Sequence, residues 1–299
     1  MDEQTRKDFL KAGKLVAQGL ALGKKRIKPG ANIKEVCLEI EQHLIDGGAK
    51  LAFPAQVSIN EVAAHWCPEP KGERNFEEGQ LVKLDIGAHI NGRIADSAIS
   101  IDLSKDQKHA KLIQAAEDAR DAALKIAKPG TTLGEIGKAI QDTITKAGYS
   151  PVKNLGGHGL GEYDVHVSPS IPNVDTKDKT PLEEGMVIAI EPFASTGIGQ
   201  VHEQEYGNIY QLKTKARVRS KYAREAQKIL QETHTLPFSL HWLANKMGEG
   251  QARFAIKELY GTGALEVYPP LAEEEGVLIS QAEHSVIVSN NPIVYTRSE

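Results

Sequence analysis

Cysteine is nearly missing from this 299-residue chain, which has only Cys37 and Cys67. Two thiols cannot form the framework of a disulfide-stapled secreted domain, so a reducing, cytoplasmic setting is expected. There is no Cys-x-x-Cys pair to hold a thiolate zinc site. Long apolar runs are also absent. No stretch approaches the roughly 18 residues of a membrane span, and the N-terminal MDEQTRKDF lacks the apolar core of a secretion signal. Basic excess is missing too: 36 Lys and Arg stand against 40 Asp and Glu, for a net charge of −4. Bulk electrostatics therefore give no reason to expect nucleic-acid binding, and no nucleic-acid motif is present, although a local patch stays open. What is there is ordinary for a soluble globular protein, with 40% hydrophobic and 25% charged residues. The length suits one large domain or two modest ones.

The chain carries an internal repeat. Lys28-Pro29-Gly30 recurs as Lys128-Pro129-Gly130. Asn32 and Thr132 then follow as helix N-caps, each with a glutamate three residues on (Glu35, Glu135), the spacing of a capping box. Ile33, Val36, Ile40 and Leu44 recur as Leu133, Ile136, Ile140 and Ile144, one buried helical stripe in each copy. Gly47-Gly48 and Gly148 end the two helices. Further on, Glu77-Glu78-Gly79 leads through apolar residues to Asp85, and Glu183-Glu184-Gly185 leads likewise to Glu191. In both copies the acid is expected at the end of an apolar strand. A stripe of Phe9, Ala12, Val16 and Leu20 precedes the first copy, and one of Leu112, Ala115, Ala119, Ala123 and Ile126 precedes the second. The fold class is therefore α/β in the α+β sense: two pseudo-twofold halves, each helix, helix, strands, with a site between them. Residues 201–270 break the pattern with helical segments at 219–234 and 249–260 around Thr235-Leu236-Pro237. This predicts a catalytic unit of 1–200 and 271–299 with a helical insertion at 201–270, and a final strand over 277–288.

The segment LVKLDIGAHINGRIADSAISI gives the sharpest local inference. Asn91-Gly92 between two apolar runs is a type I′ hairpin signal. A two-residue turn there pairs Ile90 with Arg93 and Gly87 with Asp96. Asp85 then lies diagonally beside Asp96 on one face. Two like charges so placed repel, and a divalent cation between them removes the cost. Gly87, opposite Asp96, is expected to leave room for that cation. Glu191 follows the apolar run VIAI, Glu283 interrupts the last strand, and His158 sits in the glycine-rich loop Gly156-Gly157-His158-Gly159. Two aspartates, two glutamates and one histidine suit Mn, Fe, Co or Zn in a paired site.

These residues lie in stretches that resemble the methionine aminopeptidases of the second type, found in archaea and eukaryotes: AFPAQVSINEVAAH (52–65), KLDIGAHINGRIAD (83–96), NLGGHGLGEYDVH (154–166), AIEPFASTG (189–197) and AEHSVIV (282–288). The resemblance spans most of the chain. It implies the pita-bread fold and an insertion of winged-helix-like character. It also implies a centre of two divalent metals (Co, Mn, Fe or Zn), with Asp85 on one metal, Asp96 and Glu283 bridging both, and His158 and Glu191 on the second. His65 and His166 would then flank the substrate, His166 at the scissile peptide and His65 at the chain beyond the methionine. Glu191 would shuttle a proton to the leaving nitrogen, and Phe53, Phe193 and Tyr268 would line the methionine pocket. The remaining histidines, His43, His89, His109, His202, His234, His241 and His284, receive no role.

Trp66-Cys67-Pro68 departs from the tyrosine-threonine common in relatives, and a buried apolar thiol is the expected role of Cys67. The resemblance implies nascent-chain N-termini as substrate, an archaeal source and a monomer, with ribosome association an expectation that no motif carries. Xaa-Pro peptidases on the same fold and non-catalytic homologues are the alternatives. The former usually carry an additional N-terminal domain, for which a repeat starting by residue 28 leaves no room, and the latter lose ligands that are all present here. Since only small second residues should be admitted, Asp2 predicts that the protein keeps its own Met1. Intact-mass measurement of native protein lacking Met1 would contradict that pocket.

Overall fold

Each half opens with the two helices that its side chains call for. The computed structural model describes residues 1–297. Asp2 caps α1 (Glu3–Arg26), its carboxylate accepting from the Thr5 N–H at 2.9 Å. Asn32 caps α2 (Ile33–Asp46) in the same way. α3 (Ala110–Ile126) and α4 (Leu133–Lys146) repeat the pair. The capping box is complete only at Thr132, where Glu135 returns the bond to the Thr132 N–H at 2.8 Å. The four stripe residues of α2 and the four of α4 are all buried. At about 2 kcal/mol for each buried aliphatic side chain, that packing outweighs a cap worth about 1 kcal/mol. The caps set where the helices start, and the stripes set which face they bury.

α1 and α2 cover an antiparallel sheet in which Leu81–Ile90 lies between Lys50–Ile59 and Arg93–Asp102. α3 and α4 cover the second half. There a five-stranded sheet runs Ile293–Val294, His284–Ile287, Val187–Ile190, Gly157–Gly161, Asp164–Ile171. The expected strand over 277–288 is in fact two: Ile279–Gln281 pairs with Phe193–Ser195, and His284–Ile287 pairs with Val187–Ile190. Pro192 explains the break, because it has no N–H to continue a ladder. Glu191-Pro192 and Ala282-Glu283 therefore face each other as an irregular joint, with Ala282 N–H donating to Pro192 O at 3.3 Å. Glu191 closes its apolar strand as expected. Asp85 does not, since its strand continues five residues further, to Ile90.

Residues 201–270 contain α5 (Lys221–Leu230), α6 (Leu240–Met247) and α7 (Glu249–Gly261) around an apolar cluster of their own. They also hold a small sheet that the helical reading lacked, with Ile209–Leu212 between Phe238–Ser239 and Leu265–Tyr268. Its strands are two to four residues long, too short to show a period. His202–Glu203 pairs with Leu271–Ala272 where this segment leaves and rejoins the rest. Among the described residues, no helix is long and apolar enough to cross a membrane.

Candidate metal centre

The first hairpin has the register that its turn dictates. Ile90 pairs with Arg93, Gly87 with Asp96, and Asp85 with Ala98. Asn91 and Gly92 both have positive φ (49° and 81°), as a type I′ turn requires. Asp85 and Asp96 thus meet diagonally on one face. The space over Gly87 does not hold a cation, however. A Cβ there would lie 2.1 Å from the ring of Phe53, so Gly87 makes room for that aromatic. The ligand atoms that cluster with those of Asp96 are instead those of His158, from the second half, and Glu283.

From that half comes the hairpin of Gly157–Gly161 and Asp164–Ile171, carrying His158 and His166. Its glycines permit close approach: a Cβ on Gly157 would strike Ala189 O at 2.1 Å. His158 Nε2 lies 3.8 Å from Asp96 Oδ2 and 3.6 Å from Glu191 Oε1. Its Nδ1 stands 3.3 Å from Gly159 O. An Nδ1–H donated there leaves the Nε2 lone pair facing the acids. Ligand atoms of Asp96, His158 and Glu283 lie within 4.8 Å of one another. Asp96 is fixed at both its backbone groups by Ser285, whose hydroxyl accepts from Asp96 N–H at 3.0 Å and donates to Asp96 O at 2.7 Å. Glu283 N–H donates to Ala98 O at 3.0 Å, which ties the joint to the first hairpin.

The electrostatics show what the set lacks. Burial, opposed by bonds from Gln281 and Asp96, raises Asp85 to about 7. Burial, then the neighbouring acids, push Asp96 and Glu283 well above the carboxylate range, and burial followed by Asp85 does the same to Glu191. Burial lowers His158 to about 3. Asp85 Oδ1, Asp96 Oδ1 and Glu283 Oε2 are buried without a hydrogen-bond partner. Each orphaned oxygen costs about 1–3 kcal/mol, and more if charged, against a total stability of about 5–15 kcal/mol. Divalent cations supply the missing partners for such oxygens, and with the His158 nitrogen beside Asp96 and Glu283 the donor set fits a metal.

These acids border a cavity of about 400 Å³ lined also by Phe53, His65, His166 and Tyr268. His166 sits edge-on to His158 (centroids 4.5 Å apart), and Tyr268 stands 5.7 Å from His65 and 5.9 Å from His166. Burial lowers His65 to about 4, so its imidazole is neutral at pH 7, and its Nδ1 is buried and unpartnered. Phe193 does not join Phe53 and Tyr268 at this cavity. It is fully buried among Ala63, Val152, Val201 and Ile279, not on the cavity wall. Cys67 likewise lies off the cavity, buried beside Cys37, and burial pushes its thiol up.

Three residues escaped sequence reasoning. Gln281 Nε2 donates to Glu191 Oε2 at 3.2 Å and to Asp85 Oδ2 at 3.4 Å, joining acids from both halves. A glutamine two residues before Glu283 in an apolar strand was the available signal. Ile209 and Pro237, from the 201–270 segment, complete the wall, and nothing in the sequence placed them there.

The model for metallopeptidase family M24 matches residues 7–256. The chain is 44% identical over 297 residues to the methionine aminopeptidase of Archaeoglobus fulgidus, covering 99% of each chain. It is 40% identical to that of Pyrococcus abyssi, covering 96% of this chain and 98% of the other. Among solved structures, methionine aminopeptidase from Thermotoga maritima superposes with a TM-score of 0.74 at 23% identity over 100% of this chain and 98% of that one. A prolidase from Pyrococcus furiosus superposes at 0.62 and 21%, over 100% of this chain and 65% of its own. The last two likenesses speak to the fold, which is that of the pita-bread structures.

Proposed function

The chain belongs to metallopeptidase family M24, and from that membership we propose how its pocket works. It is a metallo-aminopeptidase that removes the N-terminal methionine from proteins whose second residue is small. The observation that carries this reading is the 44% identity, over nearly the whole of both chains, to a protein named methionine aminopeptidase. The convergence of Asp85, Asp96, His158, Glu191 and Glu283 in one cavity with Phe53 and Tyr268 supports it.

Asp85, Asp96, His158, Glu191 and Glu283 would hold two divalent ions, of Co, Mn, Fe or Zn. When bound, they supply a water acidified to near neutrality and a Lewis acid for the peptide carbonyl. The protein's own groups do the rest. His166, exposed on the cavity lining, would donate to the carbonyl oxygen as it becomes anionic. Neutral His65, with a free buried nitrogen, would hold the chain beyond the methionine. Glu191, anchored through one oxygen by Gln281, would pass a proton from the attacking water to the leaving nitrogen through the other. Phe53, Tyr268, Ile209 and Pro237 give the apolar wall for a methionine side chain.

The test is to strip the protein of metal and assay it with and without Mn, Fe, Co or Zn on Met-Ala-Ser and on Ala-Pro peptides. Metal-dependent cleavage of the methionyl peptide is expected. Cleavage of the prolyl peptide alone would replace this reading with a prolidase-type activity.

A further inference from the structure

The two hairpins that carry Asp85, Asp96 and His158 touch at their tips. One tip is Asn91-Gly92, and the other is Glu162-Tyr163. Tyr163 N–H donates to Gly92 O at 3.1 Å. Arg93 and Glu162 form a β-bridge and an ion pair of 2.9 Å. Gly92 lies directly beneath the Tyr163 ring, and a Cβ there would be 2.5 Å from it. Gly92 is therefore required twice, for the turn and for this contact. Asp96 lies four residues down one hairpin from Gly92, and His158 five residues down the other from Tyr163. Contact at the tips thus brings these two side chains level, where they stand 3.8 Å apart.

A third element covers the junction. His234, from the short turn after α5, stacks on Tyr163 with centroids 3.8 Å apart and planes 26° from parallel. The Thr235 hydroxyl donates to Tyr163 O at 2.6 Å. Tyr163 and His234 both hold positive φ (54° and 55°), a conformation that L side chains keep only when their surroundings impose it. The contact does not end at the tip. Thr235 O accepts a hydrogen bond from Gln211 Nε2. Gln211 Oε1 accepts from the Tyr268 hydroxyl at 2.5 Å, and the Tyr268 ring faces His65 and His166 in the cavity. Every polar atom in that run comes from the 201–270 segment except Tyr163 O.

We propose that Tyr163 is a positioning residue: pinned between Gly92 and the His234-Thr235 tip, it sets the separation of the two hairpins and links that separation, through Thr235 and Gln211, to the Tyr268 wall. The 201–270 segment is then part of how the metal centre and the substrate wall are aligned. This inference rests on the aminopeptidase reading for its kinetic test and on the metal set alone for its binding test.

The experiment compares wild type with Tyr163→Ala, Tyr163→Phe, His234→Ala and Thr235→Val. Mn²⁺ affinity is measured by calorimetric titration, thermal unfolding is followed with and without Mn²⁺, and kcat and KM are measured on Met-Ala-Ser. Tyr163→Ala should lose about 10- to 100-fold in Mn²⁺ affinity or kcat, the size seen when outer partners of a metal set are removed. Tyr163→Phe, which keeps ring and backbone, should restore both. His234→Ala and Thr235→Val should show the same loss in smaller measure. Wild-type affinity and kcat in Tyr163→Ala would overturn the proposal, as would a Tyr163→Phe variant as impaired as Tyr163→Ala. If Tyr163→Ala does not fold, His234→Ala and Thr235→Val decide: wild-type values in both overturn the proposal. A wild-type protein that binds Mn²⁺ but leaves the methionyl peptide uncut with Mn, Fe, Co and Zn alike would instead sink the functional reading, and the affinity comparison would still judge the junction.

Discussion

Glu283→Gln should lower kcat/KM on methionyl peptides by about 10³-fold or more, equivalent to about 4 kcal/mol of lost transition-state stabilisation. The same variant should melt a few degrees higher than wild type when both are free of metal. The two effects have one cause. Glu283 is buried to 1% exposure beside three other acids whose ionised forms burial and mutual repulsion disfavour. Without a cation, deleting one of those charges relieves the fold. With a cation, it deletes a donor. Divalent metal should therefore raise the melting temperature of wild type substantially and that of Glu283→Gln little. Melting curves with and without Mn²⁺, beside steady-state kinetics, check both halves. Full activity in the variant would show that Glu283 is not a ligand.

His166→Ala should also lose activity but should leave the metal response intact. Its ring faces the cavity edge-on to His158 and is exposed, unlike the buried acids Asp96, Glu191 and Glu283. Loss of a donor to a developing oxyanion typically costs about 10²- to 10³-fold in kcat. Metal affinity and KM should move by no more than about threefold. Calorimetric metal titration alongside kinetics separates the cases. A large loss of metal affinity in His166→Ala would make His166 a ligand and remove it from the substrate side.

The parts of this molecule that could be read from its sequence are those set by short-range rules. Asn91-Gly92 fixes a turn, the turn fixes a register, and the register fixes Asp85 beside Asp96. The helix stripes around Ile40 and Ile140 are read the same way, from spacing along one element. What spacing cannot give is which elements meet. Nothing near Gly87 announces that the Phe53 ring will fill the room above it. Only the resemblance puts Phe193 at the pocket, and no spacing rule announces that its ring packs into a core with Val152 and Ile279. Gln281 and Glu283 flank Ala282 at a joint between two short strands where a single continuous strand was expected, and which partners each strand takes is not legible from spacing. The assignment of the ligand set came from resemblance; the tip-to-tip contact at Tyr163, built from three segments far apart in the chain, left no local signature.

That irregular joint at Glu191-Pro192 and Ala282-Glu283 also bears on the order in which the protein matures. Asp85 and Glu283 are separated by roughly 200 residues, and contacts across so long a loop form late because its closure entropy must be met first. Each half buries its helices mainly on its own strands, with a few residues such as Ile287, Tyr295 and Leu81 crossing over, so most of that packing can form beforehand. During refolding, helical circular dichroism should therefore recover ahead of metal binding, with the acids brought together only when the strand pair on either side of Glu283 docks.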